Sequence, residues 1–157
     1  MKDTSIEVSP DLLEQFQALW DSRLAAEAED KSEELSYFGS WLASGRFPPA
    51  WILQKLRETL AQSRALKDRE AVFEALPSAA ASEPLLTIQA LRDLIDTTKE
   101  PRSIDYKKED IQQTLALVAA SRNQDAAGLA KECVDVLAAR GFLVFRHTLD
   151  GVQAPPA

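Results

Sequence analysis

The stretch from Leu35 to Leu60, LSYFGSWLASGRFPPAWILQKLRETL, carries the clearest alternation of apolar and polar positions in the chain. Leu35, Phe38 and Leu42 fall at i, i+3, i+7, one face of a 3.6-residue period, with Tyr37 and Trp41 beside it. Beyond a break, Ile52, Leu56 and Leu60 repeat at i, i+4, i+8. The break itself, SGRFPP, reads as a corner. Gly45 takes a left-handed backbone at almost no steric cost, which suits the position just past a helix end. Pro48 and Pro49 cannot continue the incoming helix, but proline suits the first turn of the next one. With Pro48 as the cap, Phe47 and Ile52 occupy the two positions of a hydrophobic staple. A connection this short lays the helices side by side, nearly antiparallel. The aromatic side chains then either line a groove for a ligand or peptide or, as aromatics at helical spacing usually do, fill the inside of the hairpin.

The same period runs through the rest of the chain. Ser9 caps a first helix with Pro10 at its first position and Asp11 in its first turn. Leu12, Phe16, Leu19 and Trp20 carry that helix to about Ala28, and Asp30 and Glu33 stand at capping-box spacing for the second. After the hairpin, Ser63 to Lys67 reads as a loop. Asp68 caps a helix bearing Val72, Phe73 and Leu76, which Pro77 should end or kink. Pro84 sits in the first turn of a fifth helix, capped by Ser82 or Glu83, with Ile88, Leu91, Leu94 and Ile95 on a wide apolar face. Thr97 to Asp105 is the longest polar break and reads as a mobile loop. A sixth helix spans roughly Tyr106 to Ser121, with Ile111, Leu115 and Val118 on one face. Asn123 caps a seventh carrying Leu129, Cys133, Val136 and Leu137. Gly141 and Phe142 fit the C′ and C″ positions of a Schellman ending. The coda GFLVFRHTL is either a short extended segment or a last helical turn.

These readings give a single helical domain over residues 9–147, a flexible arm at 1–8 and a disordered tail at 148–157. With 157 residues the chain can bury a full core without staples, and few glycines beside many alanines and leucines favour helix. The formal charge of −7 makes a nucleic acid an improbable main partner, because phosphate backbones attract basic surfaces. A protein partner fits better. No apolar run approaches a membrane span, and the first residues lack the apolar core of a signal peptide. The single cysteine excludes an intrachain disulfide, so a cytoplasmic, reducing location is expected.

Candidate chemistry is sparse. Metal binding needs convergent ligands, but His147 is the only histidine and stands far along the chain from Cys133, so no metal or cofactor is expected. Cys133 lies on an apolar stripe and reads as a small core hydrophobe. No glycine-rich phosphate loop occurs. Gln54, Lys55 and Arg57 follow a helix–turn–helix corner, but the acidic total and Trp51, Ile52 and Leu53 beside them argue against DNA. Two charged clusters are candidate protein-binding surfaces: the acidic run Glu27, Glu29, Asp30, Glu33 and Glu34, and the basic set Lys99, Arg102, Lys107 and Lys108 around the polar break. The acidic run leads to a second expectation, a small inhibitor or immunity-like regulator of a basic protein.

Leu56-Arg57-Glu58 returns as Leu91-Arg92-Asp93 at an offset of 35 residues, which makes each of three successive helix pairs one hairpin. The order WLASGRFPPAWILQKL, VFEALPSAAASEPLLTIQALRDLI, EDIQQTLALVAA, LAKECVDVLAARGFLVFR resembles the HEAT-like helical segments near the C-termini of large bacterial multidomain proteins, over residues 35–147. Phe47, Trp51, Gly141-Phe142 and Phe145-Arg146 mark it. The resemblance implies a packing and recognition module without chemistry of its own. The expected fold is therefore all-α: about seven helices stacked as antiparallel hairpins, as a HEAT-like α-solenoid or a right-angled bundle. The expected function is a non-catalytic scaffold or adaptor for another protein, with wide apolar faces that would also serve a homo-oligomer.

Overall fold

The computed structural model describes residues 8–26, 31–63 and 66–152, with residues 31 and 32 described by their backbone only. Every regular element among them is helical: α1 (Pro10–Ala25), α2 (Lys31–Leu35), α3 (Phe38–Ala43), α4 (Pro49–Gln62), α5 (Arg69–Ala79), α6 (Pro84–Thr97), α7 (Pro101–Tyr106), α8 (Lys108–Ala119) and α9 (Gln124–Ala139). A 3₁₀ turn, Leu143–His147, follows. The all-α class follows from the stripes. Ile52, Leu53, Leu56 and Leu60 of α4, Ile88, Leu91, Leu94 and Ile95 of α6, and Ile111, Leu115 and Val118 of α8 are all buried in one core.

The helix ends obey local chemistry. Ser9 accepts from the Leu12 amide, and Asn123 accepts from the Ala126 amide at 3.0 Å, each satisfying a donor that the first turn leaves over. Gly45 (φ 64°) and Gly141 (φ 95°) take the left-handed backbone expected of them. At Gly141 the Schellman pair is complete: its amide donates to Ala138 O and that of Phe142 to Leu137 O. The coda resolves as the 3₁₀ turn, and Phe145 anchors it in the core.

Three local expectations are corrected. The second helix breaks at Ser36–Tyr37, because Lys67 N donates to Ser36 O at 2.8 Å and takes the carbonyl that a continuous helix would use. That departure aside, the helix of Val72 ends at Ala79, two residues past Pro77, in line with a proline that ends or kinks it, so the ladder bond is lost where the helix is already stopping. The polar break shortens to Thr98–Glu100, because Pro101 opens α7 and Ile104 is fully buried beneath it. Asp68 stands at the cap of α5 without capping it, and its carboxylate accepts instead from the Ser40 hydroxyl of α3. The first helix ends at Ala25, and Asp30 lies outside the described residues.

Helices pack by a simple order. α3 lies on α4, α5 on α6 and α8 on α9. Across these pairs α3, α5 and α8 neighbour one another in succession, and so do α4, α6 and α9. Gly39 is what lets α3 reach α5: a Cβ there would lie 2.8 Å from Asp68 O. Arg57 of α4 bridges to α6, with Nε 2.7 Å from Asp93 and Nη1 2.8 Å from Gln89, so the two halves of the Leu-Arg-acid repeat meet side by side. The carbonyl end of α6 is held by two arginines from elsewhere. Arg69 reaches Leu94 O, and Arg140 reaches Ile95 O at 2.6 Å and Thr98 O at 2.7 Å, placing positive charge where the helix dipole is negative.

Candidate interaction site

The aromatic side chains of α1, α3, the corner and α4 form one continuous cluster. Trp20 packs on Phe38 (ring centroids 4.5 Å) and on Trp41 (5.1 Å), and Phe16 meets Trp41 edge-on at 5.6 Å. Trp41 stacks on Phe47, and Phe47 packs at a tilt on Trp51, each at 5.3 Å. Such contacts add roughly 0.5–1.5 kcal/mol each beyond the area they bury. The cluster runs from core to surface. Phe38 and Trp20 are buried, Trp41, Phe47 and Trp51 are half-buried, and Phe16 is 38 % exposed. Along α1, Leu12 (41 %) and Leu19 (48 %) extend the apolar strip into solvent at i, i+4, i+7 with Phe16.

Where α1 crosses the corner, a pocket of about 350 Å³ opens, walled by Leu13, Phe16, Trp41 and Phe47, with Ser40, Ser44, Val8 and Arg46 at its edge. It has the size and apolar lining that accept a large side chain. The corner builds this wall because Gly45 turns the chain sharply and Pro48–Pro49 start α4 without a gap, which sets Phe47 between Trp41 and Trp51. Trp20 pays for its place: its indole N–H is buried without a hydrogen-bond partner, an arrangement that costs about 1–3 kcal/mol.

The charged candidates are dispersed. Glu27, Glu29 and Asp30 lie outside the described residues. Glu33 pairs with Lys67 at 3.2 Å, and Glu34 with Arg23 at 3.3 Å, so both described members of the acidic run are matched by a base. Of the basic set, Lys107 is a structural residue, buried at the α7–α8 junction and paired with Glu74 of α5. Its hydrogen bond to Glu74 raises its pKa above the ordinary lysine value. Lys99, Arg102 and Lys108 are exposed, and Lys99 and Arg102 border different surface hollows beside α7. The helix-turn-helix residues are engaged within the fold: Arg57 as above, and Lys55 with Asp21 at 2.8 Å and Glu58 at 2.9 Å.

Cys133 and His147 stand apart chemically. Burial pushes the Cys133 thiol up to about 11, the Arg92 guanidinium beside it pulling the other way with less effect. His147 is exposed, with Nδ1 2.7 Å from Asp150. Among the described residues no group of three or more His, Cys, Asp or Glu converges as a metal site, and no helix is long and apolar enough to cross a membrane.

Sequence reasoning found the corner aromatics but missed that Phe16 and Trp20 of α1 complete the cluster. The signal was present, since Phe16 and Trp20 share the i, i+4 face, but their contact with Trp41 spans a connection whose path no local pattern specifies. It also missed the Arg69 and Arg140 clamp, which joins residues far apart in the chain. Comparison with protein-family models, curated proteins and solved structures finds no match to this chain.

Proposed function

We propose that the chain is a non-catalytic helical module that binds another protein through the aromatic corner, built as stacked hairpins in the manner of a HEAT-like α-solenoid. The observation that carries the binding reading is the half-exposed run Phe16, Trp41, Phe47 and Trp51 with its open apolar pocket. Tryptophan and other aromatics anchored in packed surroundings are the side chains that dominate protein interfaces. A contiguous apolar surface on a folded domain is commonly an interaction site. At the corner, large apolar side chains stay partly in water although the core beside them is full.

The solenoid reading rests on order of packing. Successive helix pairs each lie against the next, which is how helical-hairpin repeats stack. The likeness of α4 and α6 extends beyond the Leu-Arg-acid triplet to Pro49 with Pro84 and Gln54 with Gln89. These residues occupy the same positions on two adjacent helices, and Arg57 uses the second helix's copies, Gln89 and Asp93, as its acceptors.

A photo-crosslinking residue in place of Arg46, at the pocket edge, tests the binding reading in the source cell. The reading expects a discrete adduct with another protein from position 46 and none from position 109, exposed on α8. Adducts from 109 alone, or from neither position, would sink it.

A further inference from the structure

We infer that the corner pocket takes a single aromatic side chain of a partner protein, carried on a segment with a carboxylate beside it, and that Arg46 receives the carboxylate. The inference rests on the corner being a protein-binding site and says what chemistry that site selects. The pocket holds about 350 Å³, the small end of the roughly 300–1,000 Å³ that ligand pockets span. That volume admits one large side chain and excludes a row of them. Its walls are Leu13, Phe16, Trp41 and Phe47, three of them rings, which offer faces and edges to an aromatic guest. Leu13 and Phe16 belong to α1, so α1 stays in place and the guest enters between it and the corner.

Among the described residues that line the pocket, Arg46 alone is ionisable, and it is exposed. Its guanidinium carries five N–H donors in a planar fork, so it takes a carboxylate in addition to the interaction it already makes within the fold. The hydroxyls near it are turned inward. Ser40 donates to Asp68, which is not part of the lining, and Ser44 donates to Trp41 O at 2.6 Å. The pocket edge therefore answers an anion through Arg46 rather than through those hydroxyls. The overall charge of −7 opposes an acidic guest only at long range, since exposed charges more than about 8 Å apart are largely screened at physiological salt. Charge complementarity at the mouth favours an acid, where the composition of the whole chain favours a base.

Backbone and indole N–H chemical shifts of the full-length chain, titrated with short amidated peptides, test this. One peptide sets a tryptophan next to an aspartate; a second has asparagine in place of the aspartate, and a third has lysine. The aspartate peptide should shift the amides of Ser44 and Phe47 and the indole N–H of Trp41. It should bind about two- to fivefold tighter than the asparagine peptide, the range an exposed ion pair gives. Arg46→Gln should abolish that preference, and Arg46→Glu should turn it toward the lysine peptide. Unchanged shifts in α8 and α9 check that both variants remain folded. Equal binding of the aspartate and asparagine peptides, or shifts that avoid the corner, would overturn the inference. Tighter binding of free indole-3-acetate than of the aspartate peptide would make a small aromatic acid the guest, and so overturn it as well. The crosslinker at position 46 forfeits only the few-fold preference, because the apolar walls remain. A protein adduct there with no preference between the peptides retains the binding module and removes only this inference; no adduct and no shift removes both.

Discussion

Gly39 and Gly128 both sit in helices, and the structure gives them opposite roles. At Gly39 an added methyl meets the Asp68 backbone and side chain at 2.8 and 2.9 Å, where α3 touches α5. Gly39→Ala should destabilise by about 1–3 kcal/mol through overpacking, a fall of about 2–4 °C in thermal midpoint for each kcal/mol. At Gly128, exposed in α9, nothing lies within 4 Å of an added Cβ. Gly128→Ala should stabilise by about 0.5–1 kcal/mol by relieving backbone entropy. Thermal melts of the two variants, opposite in sign, check both. Cys133 gives a pH test. Its folded thiol titrates near 11, above the ordinary value of 9.0. Between those values the unfolded chain releases a proton that the native chain keeps, so its contribution to stability falls as pH rises from 9 to 11, by up to about 2–3 kcal/mol. Stability read from urea melts across that range should fall by this much less in Cys133→Ala than in the unaltered chain, the raised lysines Lys55, Lys67 and Lys107 contributing alike to both. The unfolded chain should also react with a thiol reagent far faster than the native one.

Among the elements, α6 is the most constrained. It touches α4, α5, α8 and α9, and its carbonyl end is clamped by Arg69 and Arg140. Burial lowers the Arg69 pKa from its ordinary value, the cost of placing that charge against the Leu94 carbonyl and the Thr97 and Thr98 hydroxyls. Arg69→Met keeps most of the stem and removes the donors, so it should cost about 1.5–3 kcal/mol, read from a denaturant melt. Helix identity was legible because each stripe of α4, α6, α8 and α9 repeats at 3.6 residues, and the caps at Ser9, Asn123 and Gly141 are local chemistry. The failures have one physical source. The break at Ser36 and α7 over Ile104 were decided by a partner distant in the chain and by burial, which override propensity. Lys107 shows the same for the candidate site: its neighbours in sequence placed it in a basic patch, while Glu74 of α5 makes it part of the core's edge.

Seen whole, the molecule has a filled core along two successions of helices and an aromatic corner at one end where the filling reaches water. The acidic net charge that dominates the composition does not gather around the pocket, whose walls are apolar. The charged residues singled out from composition are spread over several faces, while the corner motif SGRFPP marks where the aromatic cluster forms, without revealing that Phe16 and Trp20 of α1 complete it. Hydrogen-exchange footprinting of the full-length chain, alone and bound to the protein that crosslinks at position 46, tests the account most directly. It predicts added protection over residues 38–51 and over the Phe16 stretch of α1 on binding. Protection confined to α8 and α9, with the corner and α1 unchanged, would contradict it.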